Sequence, residues 1–182
     1  MKRLSVCMLF GCVCALGLGV LSCEAAEQET RTLTDANGRE VELNEDIQKA
    51  IVSNRYNLEI IRAVGAIDQV EAIDSLAYTN EAFWPEFTSD DVYGKGTRDL
   101  EYEKIISYNP DIFIVLPGQY SDEMAEKLSD YNIPVFVLNC ASGQTVEEYN
   151  EQIELCAEIF GKEEGAERVI DFCSSIRSEV AE

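Results

Sequence analysis

Cationic, aromatic and amide side chains follow several apolar runs of this sequence, at points where buried strands would end. The set comprises Arg55, Tyr56, Tyr78, Trp84, Lys95, Arg98, Gln119 and Tyr120. The cations Arg55, Lys95 and Arg98 could offset negative charge on a bound molecule. The rings of Tyr56, Trp84 and Tyr120 could pack on its faces. The alternative for each residue is an ordinary surface or loop-packing role, and for Trp84, beside Pro85, the structural role is favoured.

Residue types that several common chemistries require are absent or wrongly spaced. The chain has no histidine, so Ser53, Ser142 and Cys140 lack the base of a conventional nucleophilic triad. Bare zinc and manganese sites, which imidazoles usually build, are disfavoured for the same reason. The glycine loop 94–97 lacks the spacing and the preceding strand of a phosphate-binding loop. We therefore expect neither an enzyme, a metal site, nor a permanently bound cofactor.

The net charge and the cysteine spacing argue against two further classes of function. The formal net charge of the 182 residues is −21, and no basic patch interrupts the acidic surface, which argues against nucleic-acid binding. The seven cysteines include no CxxC pair, so a zinc or redox motif is unsupported. Cys156 and Cys173 fall on apolar helix faces and are best explained as small buried residues.

The stretch from Lys104 to Cys140 organises the fold. Residues 112–116 and 135–138 are apolar at nearly every position, which is typical of strands covered on both faces. Residues 121–130 between them have the capping and apolar spacing of a helix. A strand, a helix and a strand with short links must place the two strands parallel. Ligands of such sheets bind at the carboxyl ends of the strands, which points to loops 117–120 and 139–142.

The remaining segments predict an α/β protein with a parallel, Rossmann-like sheet covered by helices on both faces. Residues 31–43 predict a small hairpin that turns at Asn37 and Gly38. A buried strand begins at Lys49, and the helix that follows runs from Asn57 to a stop at Gly65. A second strand spans 70–73, a glycine loop spans 90–98, and two amphipathic helices close the chain.

The N-terminus predicts an export signal. Lys2 and Arg3 precede a short apolar run, and no acid occurs before Glu24. The junction at residues 20–23 resembles a lipobox, so we expect residues 1–22 to be removed and Cys23 to carry the lipid. Residues 23–30 would then form a lipid-anchored tether. A plain cleaved signal and a permanent membrane span are the alternatives.

Five short stretches, in order, run through most of the remaining chain. They are 34–41 (TDANGREV), 64–66 with Val70, 94–101, 109–112 (NPDI) and 133–135 (IPV). In this order they resemble the helical-backbone class of ABC-transporter substrate-binding proteins, which bind ferric siderophores, haem or cobalamin outside the cytoplasm. Asp99 stands where that family commonly has Asn, and Asn132 stands where it has Gly.

The resemblance implies two α/β lobes joined by one long helix, with the ligand between them. Residues 31–160 would form the first lobe and 161–182 the start of the truncated inter-lobe backbone helix, and the second lobe would be missing from this sequence. It also implies a monomeric, membrane-anchored extracytoplasmic receptor that delivers an iron chelate, haem or corrinoid to an ABC permease with its ATPase. Glu59 would dock on the permease. The alternatives are a truncated or split-gene fragment without independent activity, or a cofactor-handling protein on the same fold.

Overall fold

A computed structural model of the protein describes residues 29–180, apart from residues 80, 98, 119–120 and 142–143. The predicted signal and lipidation site at Cys23 lie outside the described residues, and so do three of the predicted ligand-binding residues, Arg98, Gln119 and Tyr120. In the described part of the chain, none of the helices combines the length and the apolar character needed to cross a bilayer.

The predicted N-terminal hairpin is confirmed. Strand β1 (Thr30–Thr34) pairs antiparallel with β2 (Glu40–Asn44), and Leu33 lies opposite Val41. Gly38 in the connecting turn has φ of 77°, a left-handed conformation that glycine adopts without steric strain.

A buried carboxylate attaches this hairpin to the rest of the protein. Asp35 accepts hydrogen bonds from the backbone nitrogens of Asn37 and Arg39, both at 2.9 Å, and forms a 2.7 Å ion pair with the Arg39 guanidinium. Its second oxygen accepts from the Val137 nitrogen at 3.3 Å, and the Ala36 nitrogen donates to the Val137 oxygen at 2.8 Å. The turn therefore covers the outer edge of the strand that contains Val137 and protects it from pairing with another chain.

The main sheet has five parallel strands in the order β5-β4-β3-β6-β7. The strands are β3 (Ala50–Val52), β4 (Val70–Asp74), β5 (Val92–Gly94), β6 (Ile112–Val115) and β7 (Val135–Val137). The predicted central unit is confirmed as β6, a helix and β7, with the two strands parallel. Strand β5 corrects the expectation of a loop at 90–98, because Tyr93 is fully buried and its segment adds to the edge of β4.

Five α-helices surround the sheet. They are α1 (Arg55–Val64), α2 (Tyr102–Tyr108), α3 (Ser121–Ser129), α4 (Val146–Phe160) and α5 (Glu163–Val180). Helix α1 begins two residues before the predicted start because the Asn54 side chain caps it, and it ends at Gly65 in a left-handed conformation, as predicted. Gly161 has the same conformation between α4 and α5, so the chain turns at this glycine.

Both faces of the sheet are buried, which explains the continuous apolar runs in the sequence. Val52, Ile114 and Phe136 pack on one side with residues of α1, α4, α5 and the hairpin. Ile51 and Phe113 point to the other side, where α2 and α3 cover them. Strands β3, β6 and β7 therefore supply both cores by alternation along their length.

Candidate functional site

The strand order places a crevice at the carboxyl ends of β3 and β6. From β3 the sheet grows in one direction through β4 and β5 and in the other through β6 and β7, so the connections leave on opposite faces at this point. A cavity of about 200 Å³ opens here, between Ser53 and Asn54 after β3 and Leu116, Pro117 and Gly118 after β6.

The loop after β3 is held in an unusual conformation. Asn54 has φ of 86°, which a residue with a side chain adopts only when its surroundings enforce it. Its side-chain oxygen accepts from the Tyr56 nitrogen at 2.9 Å and so caps α1. The cap fixes the direction in which the first two helical residues leave the sheet.

Arg55 and Tyr56, both predicted site residues, form a pair at the start of α1. The Arg55 guanidinium lies 5.0 Å from the centre of the Tyr56 ring, and Nη2 donates to the Tyr56 hydroxyl at 3.3 Å. This hydrogen bond raises the pKa of Arg55 above its ordinary value, so the side chain stays cationic. Arg55 is exposed and Tyr56 is half-buried, and both can contact a ligand at this edge.

A second cavity, of about 390 Å³, continues from Tyr56 across the loop after β7. Its walls include Cys140, Gln144, Tyr149 and Arg177. The Cys140 backbone nitrogen donates to the buried side-chain oxygen of Asn57 on α1 at 3.1 Å. The β3 and β7 loops therefore meet on one edge of the sheet, as the parallel arrangement predicts.

Cys140 is not a reactive thiol at neutral pH. Its exposed fraction is 3 %, and burial raises the pKa of the thiol to about 12. The thiolate is the nucleophilic and metal-binding form of cysteine, and it is scarce at this pKa. Among the described residues, no group of three or more Cys, Asp or Glu side chains could hold a metal ion.

Two further predicted residues lie in the loops after β4 and β5. Tyr78 is half-buried against the core, and burial followed by the charge of Glu81 raises the pKa of its phenol. Lys95 is exposed directly after β5. Tyr93, the residue before Gly94, is fully buried, and burial with the charge of Asp74 raises the pKa of its phenol well above the ordinary value.

Trp84 lies in the core and away from any surface that a ligand could touch. Its exposed fraction is 2 %, and it packs edge-on against Phe83 and at 6.4 Å from Phe87. The Arg62 guanidinium stacks 3.9 Å from the centre of its ring and pairs with Glu86 at 2.5 Å. This burial agrees with the structural role that the sequence favours for Trp84, since almost none of its ring is exposed to a ligand.

Glu59, the predicted docking residue, is exposed one turn after Arg55 on α1. Its charge acts on both Arg55 and Tyr149, so it lies beside the carboxyl edge. The arrangement leaves its carboxylate accessible to a partner.

A larger cavity than either of the two above lies at the opposite end of the sheet. It has a volume of about 460 Å³ and lies between β2, Asp111 and residues 132–135. Asp111 and Pro134 precede β6 and β7, so this groove borders the amino ends of the strands. We assign the candidate site to the carboxyl edge, because ligands of parallel sheets bind there.

Sequence reasoning missed several residues of this edge. Leu76, with an exposed fraction of 66 %, follows β4, and Arg177 of α5 reaches the cavity beside Tyr56. Asp74, a buried carboxylate at the end of β4, was also missed, although an Asp directly after the predicted strand at 70–73 was a signal that could have identified it. No sequence signal identifies Arg177, because its position depends on how α5 packs.

A family model described as periplasmic binding protein matches residues 50–182. A curated relative, the uncharacterized ABC transporter substrate-binding lipoprotein YvrC of Bacillus subtilis (strain 168), is 26 % identical over 163 residues. The match covers 86 % of this chain and 49 % of the relative.

Two solved structures share the fold. The molybdate-bound periplasmic binding protein MolA of Haemophilus influenzae matches with a TM-score of 0.68 and 23 % identity, over 83 % of this chain and 52 % of MolA. The petrobactin-binding protein YclQ of Bacillus subtilis matches with a TM-score of 0.64 and 18 % identity, over 85 % of this chain and 52 % of YclQ. The chain thus spans about half the length of the relatives it matches.

Proposed function

This chain belongs to the periplasmic binding protein family, and from that premise we propose that it is the first lobe of an extracytoplasmic solute receptor. The receptor captures a chelated metal, as a ferric siderophore, haem or a corrinoid, and delivers it to an ABC permease with its ATPase. The observation that carries the proposal is the gathering of Arg55, Tyr56 and Lys95 on the carboxyl edge of one parallel sheet.

The chemistry of this edge suits an organic ligand with negative charge better than a bare cation. Arg55 and Lys95 are exposed cations, and Arg177 borders the neighbouring cavity. The Tyr56 ring offers an aromatic face beside them. Guanidinium and ammonium groups bind carboxylate and other anionic groups, which ferric chelates and haem propionates present. Arg98, Gln119 and Tyr120 remain proposed members of the site.

Anchoring by a lipid on Cys23 is part of the proposal. The signal-like N-terminus supports it, and the curated relative carries the word lipoprotein in its name. Metabolic labelling with a radioactive fatty acid tests this step. Label that disappears in Cys23→Ala supports the anchor, and an unlabelled wild-type chain contradicts it.

A stripe of apolar side chains on α5 supports the interpretation that this lobe packs against another. Phe172, Ile176 and Val180 are 65 %, 44 % and 81 % exposed, and their spacing of four residues places them on one helix face. We propose that a second α/β lobe covers this face, encoded directly downstream either in the same reading frame or in the adjacent one. The DNA that follows the Glu182 codon tests this: a reading frame for such a lobe supports it, and unrelated genes contradict it.

Ligand binding is tested by titrating the purified chain with ferric haem, a ferric hydroxamate chelate, cyanocobalamin and molybdate. Trp84 is the single tryptophan, and because coloured chelates quench indole fluorescence over a distance, its burial does not prevent the measurement. We expect saturable quenching by at least one chelate, with weak affinity, since one lobe covers only part of a ligand.

A matched pair of variants separates this site from nonspecific attraction. Arg55→Gln with Lys95→Gln should weaken binding roughly threefold to tenfold, since exposed ion pairs contribute ~0.2–1 kcal/mol each. Lys49→Gln removes an exposed cation before β3, at the other end of the sheet, and should leave binding unchanged. Equal effects of the two changes, or quenching by none of the chelates, would count against the proposal. Quenching by molybdate alone would redirect it to a compact oxyanion.

A further inference from the structure

A single buried carboxylate lies beneath three loops of the carboxyl edge. Asp74 is the last residue of β4, its exposed fraction is 1 %, and both of its oxygens accept hydrogen bonds from protein donors. A buried charge is stable only when such partners surround it, so the groups that satisfy Asp74 are held together by it.

The first loop held by Asp74 is the one that leads into α1. Asp74 Oδ2 accepts from the Asn54 backbone nitrogen at 2.5 Å and from the Ser53 hydroxyl at 3.3 Å. Asn54 is the residue with the strained φ of 86°. The hydrogen bond from its nitrogen therefore offsets the strain that aims Arg55 and Tyr56 at the cleft.

The second loop is the one that follows β4 itself. Asp74 Oδ1 accepts from the backbone nitrogens of Leu76 and Ala77, both at 2.8 Å. These bonds turn the chain back over the strand end. Leu76 is thereby presented to solvent with 66 % of its surface exposed, although it is a large apolar residue at the edge where a ligand would lie.

The third loop follows β5 and passes close to the same carboxylate. A Cβ atom on Gly96 would lie 3.8 Å from Asp74 Oδ2 and 3.6 Å from Leu76 Cδ1. Gly96 has φ of 78°, a conformation that favours glycine. The Ser75 nitrogen donates to the Gly94 oxygen at 2.8 Å, which joins this loop to the one after β4.

We propose that Asp74 is a positioning residue that pre-forms the ligand-facing edge, by joining the loops after β3 and β4 around one carboxylate, beside which the loop after β5 passes. The loops then hold Arg55, Tyr56 and Leu76 in place before a ligand arrives, so that binding does not have to order them. The ligand part of this inference rests on the proposed function. The joining of the loops does not.

The test compares Asp74→Asn with Asp111→Asn. In Asp74→Asn an amide NH₂ takes the place of one carboxylate oxygen. Each of the two oxygen positions faces a backbone N–H, so in either orientation the NH₂ faces another donor and a hydrogen bond is lost. Asp111 also accepts backbone N–H groups, from Gln48 at 2.9 Å and Lys49 at 2.8 Å, but with Oδ2 alone and at the amino edge. An amide oxygen can take that place, so Asp111→Asn is a matched control.

Amide hydrogen exchange by mass spectrometry on the intact chain gives a readout that needs no ligand. In Asp74→Asn we expect exchange about tenfold to a hundredfold faster in peptides that cover residues 53–58 and 75–78, since charged hydrogen bonds are the stronger ones. Peptides from β6 and α4 should be unchanged, as should all peptides of Asp111→Asn. Equal exchange in the wild type and Asp74→Asn, or acceleration spread evenly over the sheet, would overturn the proposal.

Titration with ferric haem, followed by its absorbance, gives the second readout. If the wild type binds, Asp74→Asn should bind about tenfold more weakly because its competent conformation is less populated, and Asp111→Asn should bind as the wild type does. Equal haem affinity in Asp74→Asn and the wild type would overturn the positioning role. Absence of wild-type binding to any chelate contradicts the proposed function only, and the hydrogen-exchange result still decides whether Asp74 positions the loops.

If Asp74→Asn does not fold, Ser53→Ala replaces it in the exchange experiment. Faster exchange at residues 53–58 supports the proposal, and unchanged exchange overturns it.

Discussion

Replacing Gly165 with alanine should separate helix α5 from α1. A Cβ atom at this position would lie 2.0 Å from the Val64 carbonyl oxygen and 2.8 Å from its carbonyl carbon. Because unstrained nonbonded atoms stay about 3.5 Å apart, α5 would have to retreat by roughly 1.5 Å. The glycine therefore permits the close contact that brings Arg177 of α5 to the cavity beside Tyr56.

The expected free-energy change is the difference between two terms. Overpacking a closed contact costs about 1–3 kcal/mol, and a rigid backbone obstacle belongs at the upper end. Alanine recovers about 1 kcal/mol through its better helix propensity. We therefore expect a net loss of about 2 kcal/mol, which for a domain of this size lowers Tm by about 4–8 °C.

Thermal unfolding by circular dichroism measures the change, and Gly118→Ala is the control. Among the described residues, a Cβ on Gly118 would come within 4 Å of the Leu116 oxygen alone, at 4.0 Å, so its Tm should shift by no more than ~2 °C. An unchanged or raised Tm in Gly165→Ala would show that α5 does not approach α1 as closely as described. The placement of Arg177 beside the cavity would then be wrong as well.

Three other outcomes follow from the same geometry. Asp35→Asn should lower the free energy of unfolding in urea by about 2 kcal/mol, because charged hydrogen bonds are lost, whereas Asp122→Asn, at a side chain 83 % exposed, should change it little. Burial raises the pKa of Cys140 from 9.0 to about 12, so its contribution to stability is complete below pH 9 and is lost as the pH rises towards 12. Cys140→Ser should show a smaller alkaline loss in a pH series of urea midpoints, and an identical loss would contradict this. Raising salt from about 10 to 150 mM shortens the screening length from ~30 to ~8 Å. This screens the long-range repulsion between an anionic ligand and the net charge of −21, but it affects the contact between the ligand and a cation such as Arg55 much less. Stopped-flow association of an anionic chelate should therefore speed up with salt, and a decrease would mean that the local cations already dominate at long range.

The fold could be predicted where one physical signal acts over a whole segment. The apolar runs at 112–116 and 135–138 required strands buried on both faces, and the short links between them required a parallel pair. The turn at Gly38 and the helix end at Gly65 followed from the conformations that only glycine adopts cheaply. Strand β5 was missed because three residues carry no periodicity, and only its neighbour β4 shows that Tyr93 belongs to the sheet.

The sequence located the candidate site only to the carboxyl edge of the sheet and not to individual side chains. Parallel strands place their following loops together, so Arg55, Tyr56 and Lys95 were expected at one end of the sheet. Whether a side chain points outwards depends on packing that a sequence does not specify. For Trp84 the sequence left a ligand-facing and a structural role open and favoured the structural one. Arg62 and two phenylalanines enclose its ring, which agrees with the structural role.

Three carboxylates that accept hydrogen bonds from the backbone show why amino-acid composition does not identify the residues that hold this fold together. The chain has 35 acidic residues, and most of them form a solvated surface. Asp35, Asp74 and Asp111 each accept hydrogen bonds from two or more backbone nitrogens outside the strand ladders. The ends of parallel strands leave such nitrogens without ladder partners, and a short carboxylate can satisfy two or more of them at once. The same device thus fastens the hairpin, the amino edge and the carboxyl edge. Of the three, Asp74 alone holds loops that carry the proposed ligand-facing residues Arg55, Tyr56 and Leu76, so a supporting and a proposed positioning carboxylate differ in the residues that each one places.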